Sequence, residues 1–191
     1  MGAMTLALRA FRVDDDDAAR AIYETSFPAA LRAPWSNLTH HRGDEELLVL
    51  VEDDREVLGT ALIRHLGQTG MAFVRYLAID PARRGRGLGA VLVAELRDRL
   101  RAVGASVMLL DVEAPIGEHA HNDRRRIAFY ERCGLSLLDV PDYAPPEHGE
   151  TGEIVPLLLM GQVLDGGTPL EGRRLAEAVT AVLVHRYGID A

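Results

Sequence analysis

Residues 74–104 read VRYLAIDPARRGRGLGAVLVAELRDRLRAVG, and the pattern changes along that length. Phe73–Ile79 is apolar and ends on a β-branched residue, as a strand does. Asp80-Pro81 stops it, because proline has no N–H for a ladder and restrains the residue before it. Arg83, Arg84, Gly85, Arg86, Gly87, Leu88 and Gly89 follow. Glycines at alternate positions free the backbone to turn tightly and to approach a ligand closely. The helix that comes next starts with unpaired N–H groups and the positive end of its dipole, and arginines surround that end. Such a turn suits phosphate. It is not a P-loop, since no Gly-Lys-Ser/Thr follows, and its G-x-G-x-G spacing departs from the dinucleotide fingerprint.

Working outward, Leu88, Val91, Leu92, Leu96, Leu100 and Val103 recur at spacings of three and four, which predicts a buried face. Arg97, Asp98 and Arg101 fall on the outer face, and Gly104 is placed to end the helix. Ser106–Val112 is a short buried strand, so strand, helix and strand imply a parallel crossover. Upstream, Thr5–Val13 alternates as an opening strand, and Asp14–Asp17 supplies a cap for a helix that Pro28 ends. Glu46–Glu52 and Val57–His65 are strand-like runs around a polar hairpin turn, and Gly67–Gly70 turns into the strand ending at Ile79. Downstream, Arg124–Cys133 reads as a helix stopped by Gly134, with strands at Leu135–Val140 and Ile154–Val163. Thr168-Pro169-Leu170-Glu171 has the form of a capping box opening a helix to about Tyr187, with Leu175, Val179, Val182 and Leu183 on one side.

Arg84-Gly85-Arg86-Gly87-Leu88-Gly89 resembles the R/Q-x-x-G-x-G/A signature of the GNAT superfamily of N-acetyltransferases. Residues 126–135, RIAFYERCGL, resemble the superfamily's second segment, N-x-x-A-x-x-L/F-Y-x-x-x-G-F. The resemblance implies an α/β fold, with a mixed, mostly antiparallel sheet of about seven strands and helices on both faces. It implies an acetyltransferase domain over residues 4–165, followed by a helical extension, 166–191, packed on the domain or on a partner subunit. It further implies transfer of an acetyl group from acetyl-CoA to a primary amine of a small molecule or peptide, by direct attack in a ternary complex. A catalytically silent acyl-CoA-binding or regulatory protein is the alternative, and a longer acyl chain stays open.

In such a protein the Arg84–Gly89 turn cradles the pyrophosphate, and the backbone of Leu77, Ala78 and Ile79 holds the pantetheine and the acetyl oxygen. Tyr130 protonates the departing thiolate. Two positions depart from the pattern: Asp123 stands where asparagine is usual, and Arg126 where alanine is. Arg124, Arg125 and Arg126 either contact CoA phosphates or form a solvated helix start. The strand positions Phe73–Tyr76 hold no carboxylate to act as base. Glu113 is the first candidate, followed by Glu24, His119 and His121. Residues 29–42, with Pro34, Trp35, Asn37, His40 and His41, either line the acceptor pocket or form a surface helix and loop.

Composition narrows partners. The 191-residue chain carries a net charge of −8, all its basic side chains are arginine, and 48% of it is hydrophobic, enough for a sizeable core. An acidic chain argues against general nucleic-acid binding and weakly suits a cationic acceptor. No apolar run has the length of a membrane span and no signal peptide is visible, so no membrane partner is expected. The single cysteine, Cys133, permits no internal disulfide, consistent with a cytoplasmic protein. It reads as a small buried apolar side chain rather than a nucleophile. Met1-Gly2-Ala3 ahead of Met4 reads as an added remnant and does not enter the fold reading. His40-His41 and His119-x-His121 lack a third ligand with supporting spacing, and Asp14–Asp17 lacks the pattern of a calcium loop, so no metal is expected. The C-terminal apolar stripe leaves a homodimer open.

Overall fold

The computed structural model describes residues 5–40, 43–145 and 155–189. The apolar runs of the first half fold as a meander: β1 (Leu6–Ala10), β2 (Glu45–Glu52), β3 (Glu56–His65) and β4 (Met71–Ile79). Between β1 and β2 lie α1 (Asp16–Ser26) and the short α2 (Trp35–Thr39). The arginine–glycine turn leads into α3 (Leu88–Ala102), then β5 (Val107–Glu113), α4 (Ala120–Arg132), β6 (Ser136–Leu137), β7 (Leu157–Val163) and α5 (Gly172–Ala181). The strands form one seven-stranded sheet in the order β1-β2-β3-β4-β5-β7-β6. Among the described residues β4 and β5 make its one parallel pairing; the other neighbours are antiparallel. The crossover through α3 accounts for that exception, since parallel neighbours need a long connection.

Alternation along the strands sorts side chains onto two faces. Ala72, Val74, Met108, Leu110 and Val112 pack with Leu92, Leu96 and Leu100 of α3 and Ile127 and Tyr130 of α4. On the opposite face, Tyr76 and Ala78 pack with Ala19, Ile22 and Tyr23 of α1 and Trp35 and Leu38 of α2. Beside that cluster, Phe73, Val107, Leu109 and Leu159 pack with Leu170, Ala178, Ala181 and Val182. The C-terminal helix thus covers the half of the sheet that α1 and α2 leave bare.

Several boundaries differ from expectation. The opening strand ends at Ala10, because Asp15 turns the chain: it accepts from the Arg12 amide at 2.7 Å and from the Arg9 guanidinium at 2.7 and 2.9 Å. The expected aspartate cap of α1 is therefore spent on β1 and the turn, and no side chain caps that helix among the described residues. Val103, expected on the buried face, follows the last helical residue and is exposed. Gly104 does sit at φ +80°, as the residue that ends α3 in the left-handed region. The strand expected over 135–140 shrinks to the two residues of β6. The last strand begins at Leu157; Ile154, its expected start, lies outside the described residues, as does His41. No capping box forms at Thr168, since α5 starts after Glu171 and the Thr168 carbonyl accepts from Arg174 instead. Leu170 is buried against the sheet, which holds this segment out of the helix. The chain then continues as a wide π turn over Val182–Arg186.

Candidate active site

The site begins where β4 and β5 part. Their ladder runs only from Met71–Val107 to Val74–Leu110. At that level the β3–β4 register slips: Leu62 pairs with Tyr76 and Ile63 with Val74, so Arg75 is bulged. A bulge bends its strand and increases the local twist, so Arg75–Ile79 swing away from Asp111–Glu113. The result is a cleft of about 870 Å³ in the middle of the sheet.

One wall is the arginine–glycine turn. Gly85 and Gly87 both lie at φ +79°, which L side chains rarely adopt, and a Cβ on either would meet nothing within 4 Å. Gly87 is the residue before α3, and no side chain caps this helix among the described residues. The Ala90 amide turns back to the Gly87 carbonyl at 3.0 Å, and the N–H groups ahead of it have no side-chain cap and face the cleft side of the turn, where a ligand can meet them. Gly89 has a different cause: a Cβ there would lie 3.1 Å from the Phe129 ring, so this glycine lets α4 approach α3. The Arg84 guanidinium donates to the Ile79 carbonyl at 3.2 Å and to Ser26 Oγ at 2.8 Å, bridging the turn, the end of β4 and the end of α1. Leu77, Ala78, Ile79, Arg84, Gly85, Gly87, Leu88 and Gly89 all line the cleft. Arg86 is exposed and does not, and Arg83 is paired with Glu56.

The second wall is α4. Arg125, Arg126, Phe129, Tyr130 and Arg132 line the cleft. Burial pushes the Tyr130 phenol up to about 12, against the pull of the Arg126 charge. The Arg126 guanidinium is itself pushed down, by burial and by repulsion from Arg84. It forms an ion pair with Glu113 at the end of β5. The first base candidate is thus at the cleft, yet held by a cation. Glu24, His119 and His121 do not line the cleft, and His40 Nδ1 lies 2.6 Å from the Ser36 carbonyl oxygen. Of residues 29–40, Leu31 reaches the cleft; Trp35 packs in the core and donates to Asp16 at 2.9 Å. Cys133 is half-buried against the core, and burial pushes its thiol up. No cluster of three metal-ligating side chains occurs among the described residues.

A third group escaped the sequence. Asp111 of β5 lines the cleft on the face opposite α3 and α4, accepting from Tyr143 Oη at 2.7 Å and from Tyr187 Oη. Burial raises its pKa to about 6, against the two hydroxyls and the Arg186 charge. The one available signal was a lone carboxylate within the apolar run VMLLDV, a burial that demands partners.

A carboxyl and a phenol whose pKa values burial raises to about 6 and about 12, in a cleft beside an uncapped helix N-terminus ringed by arginines, can accept one proton and donate another next to a bound phosphate ester. Known proteins resemble this chain in sequence and in fold. An acetyltransferase of Photorhabdus laumondii is 37% identical over 75 residues, 39% of this chain and 49% of that protein. The chain spans between about a quarter and a half of the length of the curated relatives it matches. A GNAT-family protein from Bacteroides thetaiotaomicron superposes with a TM-score of 0.76 at 22% identity, covering 96% of this chain and 99% of that one. Spermidine N-acetyltransferase from Vibrio cholerae, solved with CoA and spermine, gives 0.63 at 15% identity over 83% and 95% of the two chains. At these identities the superpositions speak for the fold alone. The sequence profile of the acetyltransferase (GNAT) family, however, matches residues 9–135, from β1 through the β4 turn to the end of α4, and on that match the chain belongs to the GNAT family.

Proposed function

We propose that the protein transfers an acetyl group from acetyl-CoA to a primary amine, with both substrates in the cleft at once. The observation that carries this reading is the parting of β4 from β5 beside the uncapped start of α3. A CoA thioester supplies the activated acyl group. The backbone N–H groups of the Gly85–Gly89 turn, with Arg84, Arg125 and Arg126, suit its phosphates. The backbone edge of Leu77–Ile79 that β5 leaves without a strand partner, with the Ile79 carbonyl held by Arg84, suits its amide-bearing arm.

The amine nitrogen attacks the thioester carbonyl; a C–N bond forms, the C–S bond breaks, and one proton leaves nitrogen while one is gained by sulfur. Tyr130, with its pKa raised to about 12, stays protonated near neutrality and donates to the sulfur. Asp111, near 6, is ionised there and accepts the ammonium proton. Glu113 we assign to holding Arg126 in place rather than to proton transfer, because its carboxylate is already ion-paired. The superfamily's usual strand carboxylate is missing from β4, and Asp111 on the facing strand offers its equivalent.

The test is thiol release from acetyl-CoA across a panel of primary amines, with CoA affinity measured by calorimetry. Tyr130→Phe is expected to lower kcat by about a hundredfold while CoA affinity changes less than about threefold. Tight CoA binding with no turnover on any amine would instead favour a silent acyl-CoA-binding protein.

A further inference from the structure

Behind Asp111, the cleft is closed by the end of the C-terminal segment. The π turn after α5 delivers Arg186 and Tyr187 to its wall, beside Phe73 and Arg75. Arg186 packs its guanidinium over the rings of Tyr187, at 4.6 Å, and Phe73, at 5.8 Å. Its Nε is buried and has no hydrogen-bond partner among the described residues.

The carboxylates around it are engaged with other groups. Both Asp111 oxygens are already occupied by tyrosine hydroxyls. Glu45, the buried carboxylate at the base of this region, serves Arg75 and Arg64 together. Asp44, at 3.5 Å from Arg64, is half-exposed. Arg186 is thus a buried cation that feels the Asp111 charge through space but has no carboxylate in hydrogen-bond contact among the described residues, and burial and Arg75 push its pKa down against the pull of Tyr187, Tyr76 and Asp111. A buried charge of this kind is expected to find an anion. The CoA phosphates are not that anion on the reading above, because their cradle lies by α3 and α4, on the other face of the sheet.

We infer that Arg186 selects the acceptor: the pocket takes a small amine that also carries a carboxylate, an amino-acid-like zwitterion, with the carboxylate on the Arg186 guanidinium and the ammonium toward Asp111. A polycationic amine is disfavoured, since Arg75 and Arg186 face it together. Planar guanidinium–carboxylate pairing supplies the geometry. This inference rests on the acyl-transfer reading.

The experiment compares each free amino acid with its methyl ester as acceptor, and adds aliphatic diamines. For the wild-type protein kcat/KM for the preferred acid should exceed that of its ester by about tenfold or more. In Arg186→Met the ratio should fall to about one through loss on the acid, and Arg186→Lys should recover part of it; CoA calorimetry on each variant reports whether it is folded. An ester or diamine preferred by the wild type overturns the inference and leaves acyl transfer standing. CoA binding without turnover of any amine overturns the transferase reading, and the inference with it.

Discussion

At residue scale the three glycines of the turn have two different causes. Gly85 and Gly87 are required by backbone angle, Gly89 by the nearness of Phe129. Their spacing was visible in the sequence, because a local turn writes its demands into adjacent positions. The reason for Gly89 was not, because Phe129 lies far along the chain. Gly89→Ala should therefore act mainly on packing: about 1–3 kcal/mol lost in denaturant unfolding, with α3 displaced from α4 and CoA affinity reduced. Asp111 makes the opposite case. Its folded pKa, about 6, lies above the ordinary 3.8, so folding favours the protonated form. That contribution is fully present below about 3.8 and is lost as pH rises through about 6. At pH 7.5 the buried charge costs on the order of 3 kcal/mol. Asp111→Asn should thus be more stable than the wild type at pH 7.5 by up to about that amount, with the difference closing by pH 4 in thermal scans. The same variant should lose the acid limb near pH 6 in kcat/KM, along with most activity. Tyr143, Tyr187 and Arg186 are the groups that share this environment.

At the scale of elements, the strand–turn–helix of β4 and α3 was legible because periodicity and punctuation agree there. The capping box at Thr168 was misleading, since its residues are drawn elsewhere: Leu170 into the core, the Thr168 carbonyl to Arg174. Tertiary burial outweighed a local signal worth about 1 kcal/mol. The Asp111 cluster was illegible for a related reason: β5, the loop at Tyr143 and the tail at Tyr187 each supply one member. α5 is held by apolar contact, with Ala178, Ala181 and Val182 buried against the sheet. Val182→Ala should cost about 2 kcal/mol in urea unfolding. Because Arg186 and Tyr187 follow directly, it should also weaken acceptor use more than CoA binding.

Across the whole molecule, charge is unevenly placed. The chain carries −8, yet Arg75, Arg84, Arg125, Arg126, Arg132 and Arg186 line the cleft against Asp111 and Glu113. Composition alone suggested a cationic acceptor; the local field runs the other way. A concave site lined by one sign focuses its potential on ligands of the other. The association rate of CoA should therefore fall several-fold as salt rises from about 0.02 to 0.5 M in stopped-flow mixing, with dissociation changing less.

The parting of β4 and β5 has a consequence beyond catalysis. A sheet normally hides its unpaired peptide groups at its rims. Here a rim lies at the centre, joined above only by the pairs from Met71–Val107 to Val74–Leu110. On the proposed reading, a ligand laid along Leu77–Ile79 would act as a temporary strand, closing a gap the chain does not close itself. The ladder is left open at one place, and occupancy there would supply bonds that β5 does not, so that ligand affinity and the cohesion of the two half-sheets would draw on the same peptide groups.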